Sequence, residues 1–382
     1  MTRASTIVFP SSDAFERRYE HFYDGYTYGL YGTPTSRTLE ARISELYAAD
    51  HCLCLPSGQS ATALALNAFL KAGDRVLVTT SAYGSTRTFC TEMLTAFGVE
   101  VVLYDPGIAS GIGALLDDRT RMVVVESPGS NTMEIQDIPA IAHAAHASGV
   151  RVLADNTWAS ALCCNPLDLG ADIVMEALSK HAGGHADVLL GALVTRDEAL
   201  FRRMKDVSRL MGLGVSADDA SLALRGLQTM PLRIEREGAS ALTLAHWLIA
   251  RPEIARVLHP ALPGDPGHHL WKRDFRGASG LFSIELALPY QESTSAFVDA
   301  LRIFRIGASW GSTHSIVTPQ VPFNRIGGPA STPRKLIRFS IGLEPVEDLQ
   351  ADIDAALAVL SSTTHSVCKH VFDQRELQKE ER

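Results

Sequence analysis

The chain has 382 residues, 46% of them hydrophobic and 20% charged, and 35 Lys+Arg against 43 Asp+Glu leave a formal net charge of −8. At roughly 150 residues per domain this length predicts two domains with an extra segment, and the apolar fraction excludes wholesale disorder. An acidic balance with no basic stripe argues against nucleic acid as a partner, and no apolar run approaches the ~18 residues of a membrane-spanning helix.

The N-terminus, Met1-Thr2-Arg3-Ala4-Ser5-Thr6, runs into Ser11-Ser12-Asp13 without the apolar core of a signal peptide. The expectation is a cytoplasmic protein that engages neither nucleic acid nor membrane. Residues 1–45 then read as an arm. Tyr19, Phe22, Tyr23, Tyr26, Tyr28 and Tyr31 crowd into one short stretch, against an overall aromatic content of 7%. Exposed, such an arm is a liability on a monomer, so it is expected to pack on a neighbouring subunit. After the loop Gly32-Thr33-Pro34-Thr35, a helix is expected to start near Ser36 or Thr38, with Leu39, Ile43, Leu46 and Tyr47 on one stripe.

Residues 46–240 read as a large domain. Short apolar runs at Arg75–Thr79, Val99–Tyr104, Met122–Glu126, Val150–Asp155 and Ile173–Ala177 alternate with amphipathic stretches such as Ser57–Leu70 and Ile138–Ser148. Nearly continuous β-branched runs separated by helices indicate an α/β architecture, a largely parallel sheet covered on both faces. Ligands bind such sheets at the carboxyl ends of the strands. Helical segments follow at Asp197–Arg209, Asp218–Gly226 and Pro231–Ile249. Residues 241–382 open with Pro252, Pro260, Pro263 and Pro266 and read as a smaller α+β domain. Its strands are Ser279–Leu286 and Leu336–Ile341, its helices lie near Glu292–Leu301 and Val346–Leu360, and a charged tail runs from Asp373 to Arg382.

The six cysteines are too few for a disulfide scaffold. Cys52 and Cys54 alternate on one strand face and Cys163 and Cys164 are adjacent; neither pair has the CxxC spacing of a zinc site, and all read as buried free thiols. His181 and His185 have i,i+4 spacing, but Gly183-Gly184 between them breaks a helix, so no metal is expected.

Four features fall at strand ends. Leu55-Pro56-Ser57-Gly58-Gln59-Ser60 reads as strand, turn and helix start, where Ser57 can cap and free N–H groups can hold a phosphate; alone it reads equally as a plain cap. Tyr83 in Ala82-Tyr83-Gly84-Ser85 can stack on a ring and move protons, or serve a turn. Asp155 can hold a pyridine nitrogen in its protonated form, or open a turn. Lys180 follows a buried run, and a desolvated lysine forms Schiff bases. Together, and in this order, they are the inventory of a pyridoxal phosphate site.

Motifs along nearly the whole chain extend this. Tyr28–Thr35, Ser57–Ala61, Ala82–Ser85, Glu126–Ser130, Asp155–Trp158, Ser179-Lys180, Ser309-Trp310-Gly311 and Arg338–Glu344 resemble the transsulfuration (Cys/Met metabolism) family of pyridoxal phosphate enzymes. The Glu126–Ser130, Asp155–Trp158 and Ser309–Gly311 wording is most similar to bacterial cystathionine β-lyases. The resemblance implies the fold-type I, aspartate aminotransferase-like architecture and a homotetramer, a dimer of dimers with shared active sites. It implies that Lys180 forms the Schiff base and shuttles protons, that Asp155 pairs with the pyridine nitrogen and that Tyr83 stacks on the ring. Gly58, Gln59 and Ser179 would hold the phosphate, helped by Tyr28 from a neighbouring subunit, while Arg338 and Ser309 would grip the substrate carboxylate. Two positions depart from the family. Leu30 stands where a Tyr-x-Arg motif supplies a phosphate-binding arginine, and Ala308 precedes Ser309 where Glu or Tyr is usual.

The implied activity is carbon–sulfur lysis by β-elimination on cystathionine or a related S-substituted cysteine. The alternatives are γ-elimination or γ-replacement on a homoserine- or vinylglycine-type amino acid in specialised metabolism, suggested by Ala308, and a non-catalytic descendant of the fold, suggested by Leu30.

Overall fold

The computed structural model describes residues 1–320 and 335–360; the charged tail from Asp373 lies outside them. Seven strands form the larger sheet: β1 (His51–Leu55), β2 (Arg75–Thr79), β3 (Glu100–Tyr104), β4 (Thr120–Glu126), β5 (Arg151–Asp155), β6 (Ile173–Glu176) and β7 (Gly191–Thr195). Their order is β1-β7-β6-β5-β4-β2-β3. From β6 to β3 the neighbours are parallel, whereas β7 runs antiparallel to both β1 and β6. Cys54, Val125, Ala154, Val174 and Ala192 join one hydrophobic cluster and Leu53, Val124, Leu153, Met175 and Leu193 another. The sheet therefore buries both faces, as near-continuous apolar strands require.

β7 is not marked by the apolar-run reading, because it is short and opens with glycine. It matters for the site. After β6 the chain turns back beside its own strand instead of crossing over through a helix, and Lys180 sits in that reversal.

The helix expected near Ser36 or Thr38 begins earlier, at Pro34, and runs to Leu46. Proline fits a first helical turn, where its missing N–H is not needed. Thr33 and Ser36 cap one another reciprocally, Ser36 N donating to Thr33 Oγ1 at 3.4 Å and Thr33 N to Ser36 Oγ at 2.9 Å.

A second sheet, ordered β10-β11-β12-β9-β8, is built from β8 (Ile254–Leu258), β9 (Leu281–Leu286), β10 (Arg305–Ile306), β11 (Ile316–Gln320) and β12 (Leu336–Ser340). Phe282 and Phe339 stack in its core, joined by Leu349, Ile353 and Leu357 from the helix over 346–360. The 20-residue helix Met230–Ile249 serves both units. Met230 and Ile234 pack in a core of the large sheet, and Ala241, Leu244 and Leu248 pack in that of the small one. Position 240, the expected domain limit, thus lies within one continuous helix.

Cys52, Cys54, Cys90, Cys163 and Cys164 are buried and unpaired. Burial holds the thiols of Cys90, Cys163 and Cys164 up at about 12, so they remain protonated and inert.

Candidate active site

At the carboxyl end of the large sheet a pocket of about 410 Å³ opens, in the range of small-molecule sites. Its floor is the turn between β1 and the helix Gly58–Phe69. Ser57 caps that helix, Ser60 N donating to Ser57 Oγ at 3.0 Å. The next N–H groups belong to the first helical turn, which has no carbonyls behind it to bond and carries the positive end of the helix dipole. A Cβ on Gly58 would lie 2.7 Å from the Ala177 Cβ, so only glycine lets the turn press this closely on the segment before Lys180. Gln59 Oε1 is buried without a partner among the described residues. Ser179 also lines the pocket, but its hydroxyl is engaged: it donates to Leu190 O at 3.1 Å and accepts from Leu190 N at 2.9 Å.

Asp155 ends β5. Its Oδ1 accepts from Thr157 N at 2.9 Å and from Thr157 Oγ1 at 2.6 Å, and Thr157 Oγ1 in turn accepts from Ala177 N at 3.0 Å. One threonine therefore fixes the acid and ties it to the turn that bears Lys180. Burial pushes the Asp155 carboxyl up to about 6, against the pull of the two Thr157 hydrogen bonds and the Lys180 charge.

Lys180 is half-buried. Its Nζ donates to Ser309 Oγ at 2.7 Å and lies 5.4 Å from the centroid of the Trp310 ring. Burial first, and the Arg338 charge second, bring the amine down to about 8, while Asp155 works the other way. Gly311 (φ +79°) follows, and a Cβ there would stand 3.2 Å from the Lys180 Cβ, so the Ser309-Trp310-Gly311 loop closes on the lysine only as glycine.

Tyr83 stands at the pocket wall, 47% exposed, its backbone N–H donating to Glu126 Oε2 at 2.6 Å. Arg338, on β12, is buried. Its Nη1 donates to Asn131 Oδ1 at 2.9 Å and Ser130 O at 3.4 Å, and its Nη2 donates to Ala308 O at 3.3 Å. Ala308 thus meets the arginine through its backbone alone.

The fold accordingly gathers Gly58, Gln59, Tyr83, Asp155, Ser179, Lys180 and Ser309 around one pocket, with Arg338 behind it. Tyr28 is not among the lining residues of its own chain; it is 45% exposed and packs edge-on against Tyr31, centroids 5.8 Å apart. Leu30 leans on Gly214, where a Cβ would come within 2.5 Å of Leu30 Cδ1. His181 is buried, its Nε2 3.1 Å from Trp158 O, and no cluster of metal-ligating side chains occurs among the described residues.

Sequence reasoning assigned no role to Thr157 or Glu126. An Asp-x-Thr at a strand end signals a side-chain-capped turn. Glu126 carries no such local signal, since it matters only through its neighbour on the next strand.

A glycine-bound helix start for an anion, a desolvated amine and a buried carboxylate across one pocket fit a phosphorylated pyridine aldehyde. Fold and site together define a pyridoxal-phosphate-dependent enzyme with a large, mostly parallel sheet and a smaller sheet closing its carboxyl edge. The family description "Cys/Met metabolism PLP-dependent enzyme" matches residues 1–358. A candidate cystathionine beta-lyase of Rhizobium johnstonii is 45% identical over 95% of this chain and 91% of its own. Cystathionine beta-lyase MetC of Escherichia coli is 38% identical over 93% and 92%. The crystal structure of metB from Corynebacterium glutamicum superposes with a TM-score of 0.83, at 32% identity and 88% coverage of each chain. The chain belongs to the Cys/Met metabolism family of pyridoxal phosphate enzymes, and pyridoxal 5'-phosphate is its cofactor.

Proposed function

We propose that this enzyme is a carbon–sulfur lyase that cleaves cystathionine or a related S-substituted cysteine by β-elimination. The observation that carries this reading is the Lys180 amine, brought down to about 8 by burial and held 2.7 Å from Ser309 Oγ at the mouth of the cofactor pocket. Bound there, the cofactor supplies an electron sink for the pair left when the substrate loses its Cα proton.

The chain's residues do the rest. Lys180 would hold the cofactor through its aldehyde carbon, and its free amine would carry a proton to and from the substrate Cα. Asp155, fixed by Thr157, would pair as an anion with the pyridine nitrogen. Gly58, Gln59 and Ser179 would hold the phosphate. Tyr83 would cover the ring face, and Arg338 with Ser309 would take the substrate carboxylate, for which a guanidinium fork is suited. The Cα–H and Cβ–S bonds break, one water enters, and a thiol, pyruvate and ammonia leave.

Release of pyruvate in step with free thiol from cystathionine, or from a simple S-alkyl cysteine, tests the proposal. Neither substrate yielding pyruvate would sink it. Ala308, which offers Arg338 a carbonyl and the pocket no polar side chain, favours the second reading of γ-elimination or γ-replacement. In substrate recovered part-way through turnover in heavy water, deuterium would then be found at Cβ as well as Cα, because γ chemistry removes a Cβ proton from the substrate, whereas β-elimination labels Cβ only in the released pyruvate.

The same reading includes a cytoplasmic homotetramer in which Tyr28 of one subunit completes a neighbour's phosphate site. Exposed Phe15, Tyr19, Tyr26 and Tyr28 on the arm support it. It also includes the division into an arm (1–45), a cofactor domain (46–240) and a smaller domain (241–382), for which the two separate sheets speak.

A further inference from the structure

Glu126 ends β4 and pairs in register with Asp155 at the end of β5. In neighbouring parallel strands such partners project to the same face, and both line the cofactor pocket. Two carboxyls thus stand side by side in a site that one carboxylate suffices to serve. Glu126 is 7% exposed. Its Oε2 accepts the backbone N–H of Tyr83 at 2.6 Å, and the Ser130 hydroxyl also bonds its carboxyl. Its backbone N–H is held by Gln136 Oε1 at 2.9 Å, which fixes the strand end.

We propose that Glu126 is a positioning residue of the cofactor site: as a carboxylic acid it carries the single proton of the Glu126–Asp155 pair, ties Tyr83 to the strand beside Asp155, and leaves the pair's negative charge on Asp155. Two like charges at this spacing in a dry site do not both ionise. Asp155 is the better anion, because it receives two Thr157 hydrogen bonds and faces Lys180. Glu126 receives the Tyr83 N–H and the Ser130 hydroxyl but has no lysine facing it among the described residues; the titratable and charged groups that face it are Asp155, Tyr83, Arg87 and Arg338. Burial, then the Asp155 charge, holds its carboxyl well above the ordinary range, against the smaller pull of Tyr83 N–H, Ser130 and Arg87.

This rests on the Asp155 role given above and is independent of β- or γ-chemistry. The test reads the absorbance of the bound cofactor in the holoenzyme across pH, with cofactor affinity measured in parallel. Glu126→Gln reproduces the neutral acid in shape and hydrogen bonding, so its spectral midpoint stays within about 0.3 pH unit of the parent and its affinity within about twofold. Glu126→Ala releases Tyr83 and weakens cofactor binding roughly tenfold. A Gln variant as impaired as the Ala variant would show that the charge is needed, and an Ala variant like the parent would show that the residue is idle; either overturns the proposal. Asp155→Asn is the control: if it leaves the spectrum unchanged, the Asp155 role fails instead.

Discussion

Lys180 Nζ and Ser309 Oγ meet at 2.7 Å, and this hydrogen bond joins the turn after β6 to the loop that the small sheet holds over the pocket. A lysine drawn between two sheets in this way loses water, and its amine falls to about 8. For a base with a lowered pKa the neutral, nucleophilic form dominates above that value. Capture of pyridoxal phosphate by the cofactor-stripped protein should therefore accelerate as pH rises through about 8, not through the 10.5 of an ordinary lysine. Asp155 opposes this shift, so Asp155→Asn should move the midpoint lower still. Stopped-flow absorbance measures both, and a midpoint near that of a surface lysine would refute the desolvation argument.

Lys180→Ala removes the amine altogether. Bound cofactor should lose its borohydride-reducible link to the protein, and turnover should fall by at least about a thousandfold, as for loss of a nucleophile that acts with its site as a unit. Intact-mass measurement after reduction, beside a keto-acid assay, checks both.

Thr157→Val deletes the hydroxyl that Asp155 and Ala177 N share. It leaves Ala177 N without its partner and Asp155 with one hydrogen bond fewer, which costs about 1–3 kcal/mol. Denaturant melts of the holoenzyme should register that loss, and cofactor affinity should fall with it, because the acid drifts toward its protonated form.

Gly58→Ala and Gly84→Ala make a matched pair. At Gly58 the added methyl would stand 2.7 Å from the Ala177 Cβ, at the helix start that floors the pocket, while at Gly84 nothing lies within 4 Å. Cofactor affinity should drop at least roughly tenfold in the first and stay near the parent in the second. Equilibrium dialysis distinguishes them, and equal behaviour would mean the cradle is not tight.

Glu176 lies on the opposite sheet face from Asp155, buried, with the Tyr47 hydroxyl donating to its Oε2 and Asn156 Nδ2 donating to that hydroxyl at 3.0 Å. Burial lifts the carboxyl to about 7, against the Tyr47 bond. A raised acid adds stability that is complete below its unfolded value near 4.5 and is lost as pH climbs through about 7. Glu176→Gln keeps the shape without the proton, so its melting temperature relative to the parent should rise between pH 5 and 8. A difference constant with pH would rule this out.

The alternation of buried runs and helices, the placement of Asp155 at a strand end and Lys180 just past one, and Gly58 at a helix start are all legible residue by residue, because each is a local consequence of side-chain period, capping or backbone freedom. The helix that Thr33 caps through Ser36 begins at Pro34, two to four residues before the expected start, for an equally local reason: proline favours loops but also fits a first helical turn.

What periodicity cannot express is who lies beside whom. The return of β7 between β1 and β6, the pairing of Glu126 with Asp155 and the clasp of Asn131, Ala308 and Arg338 all join segments far apart in the chain. Sequence alone determined which residues stand at strand ends, turns and helix starts, since propensity and side-chain period act within a few residues. Tertiary structure alone decided which of them share a dry pocket, because strand order and the desolvation that tunes Lys180 and Asp155 arise only when distant segments pack.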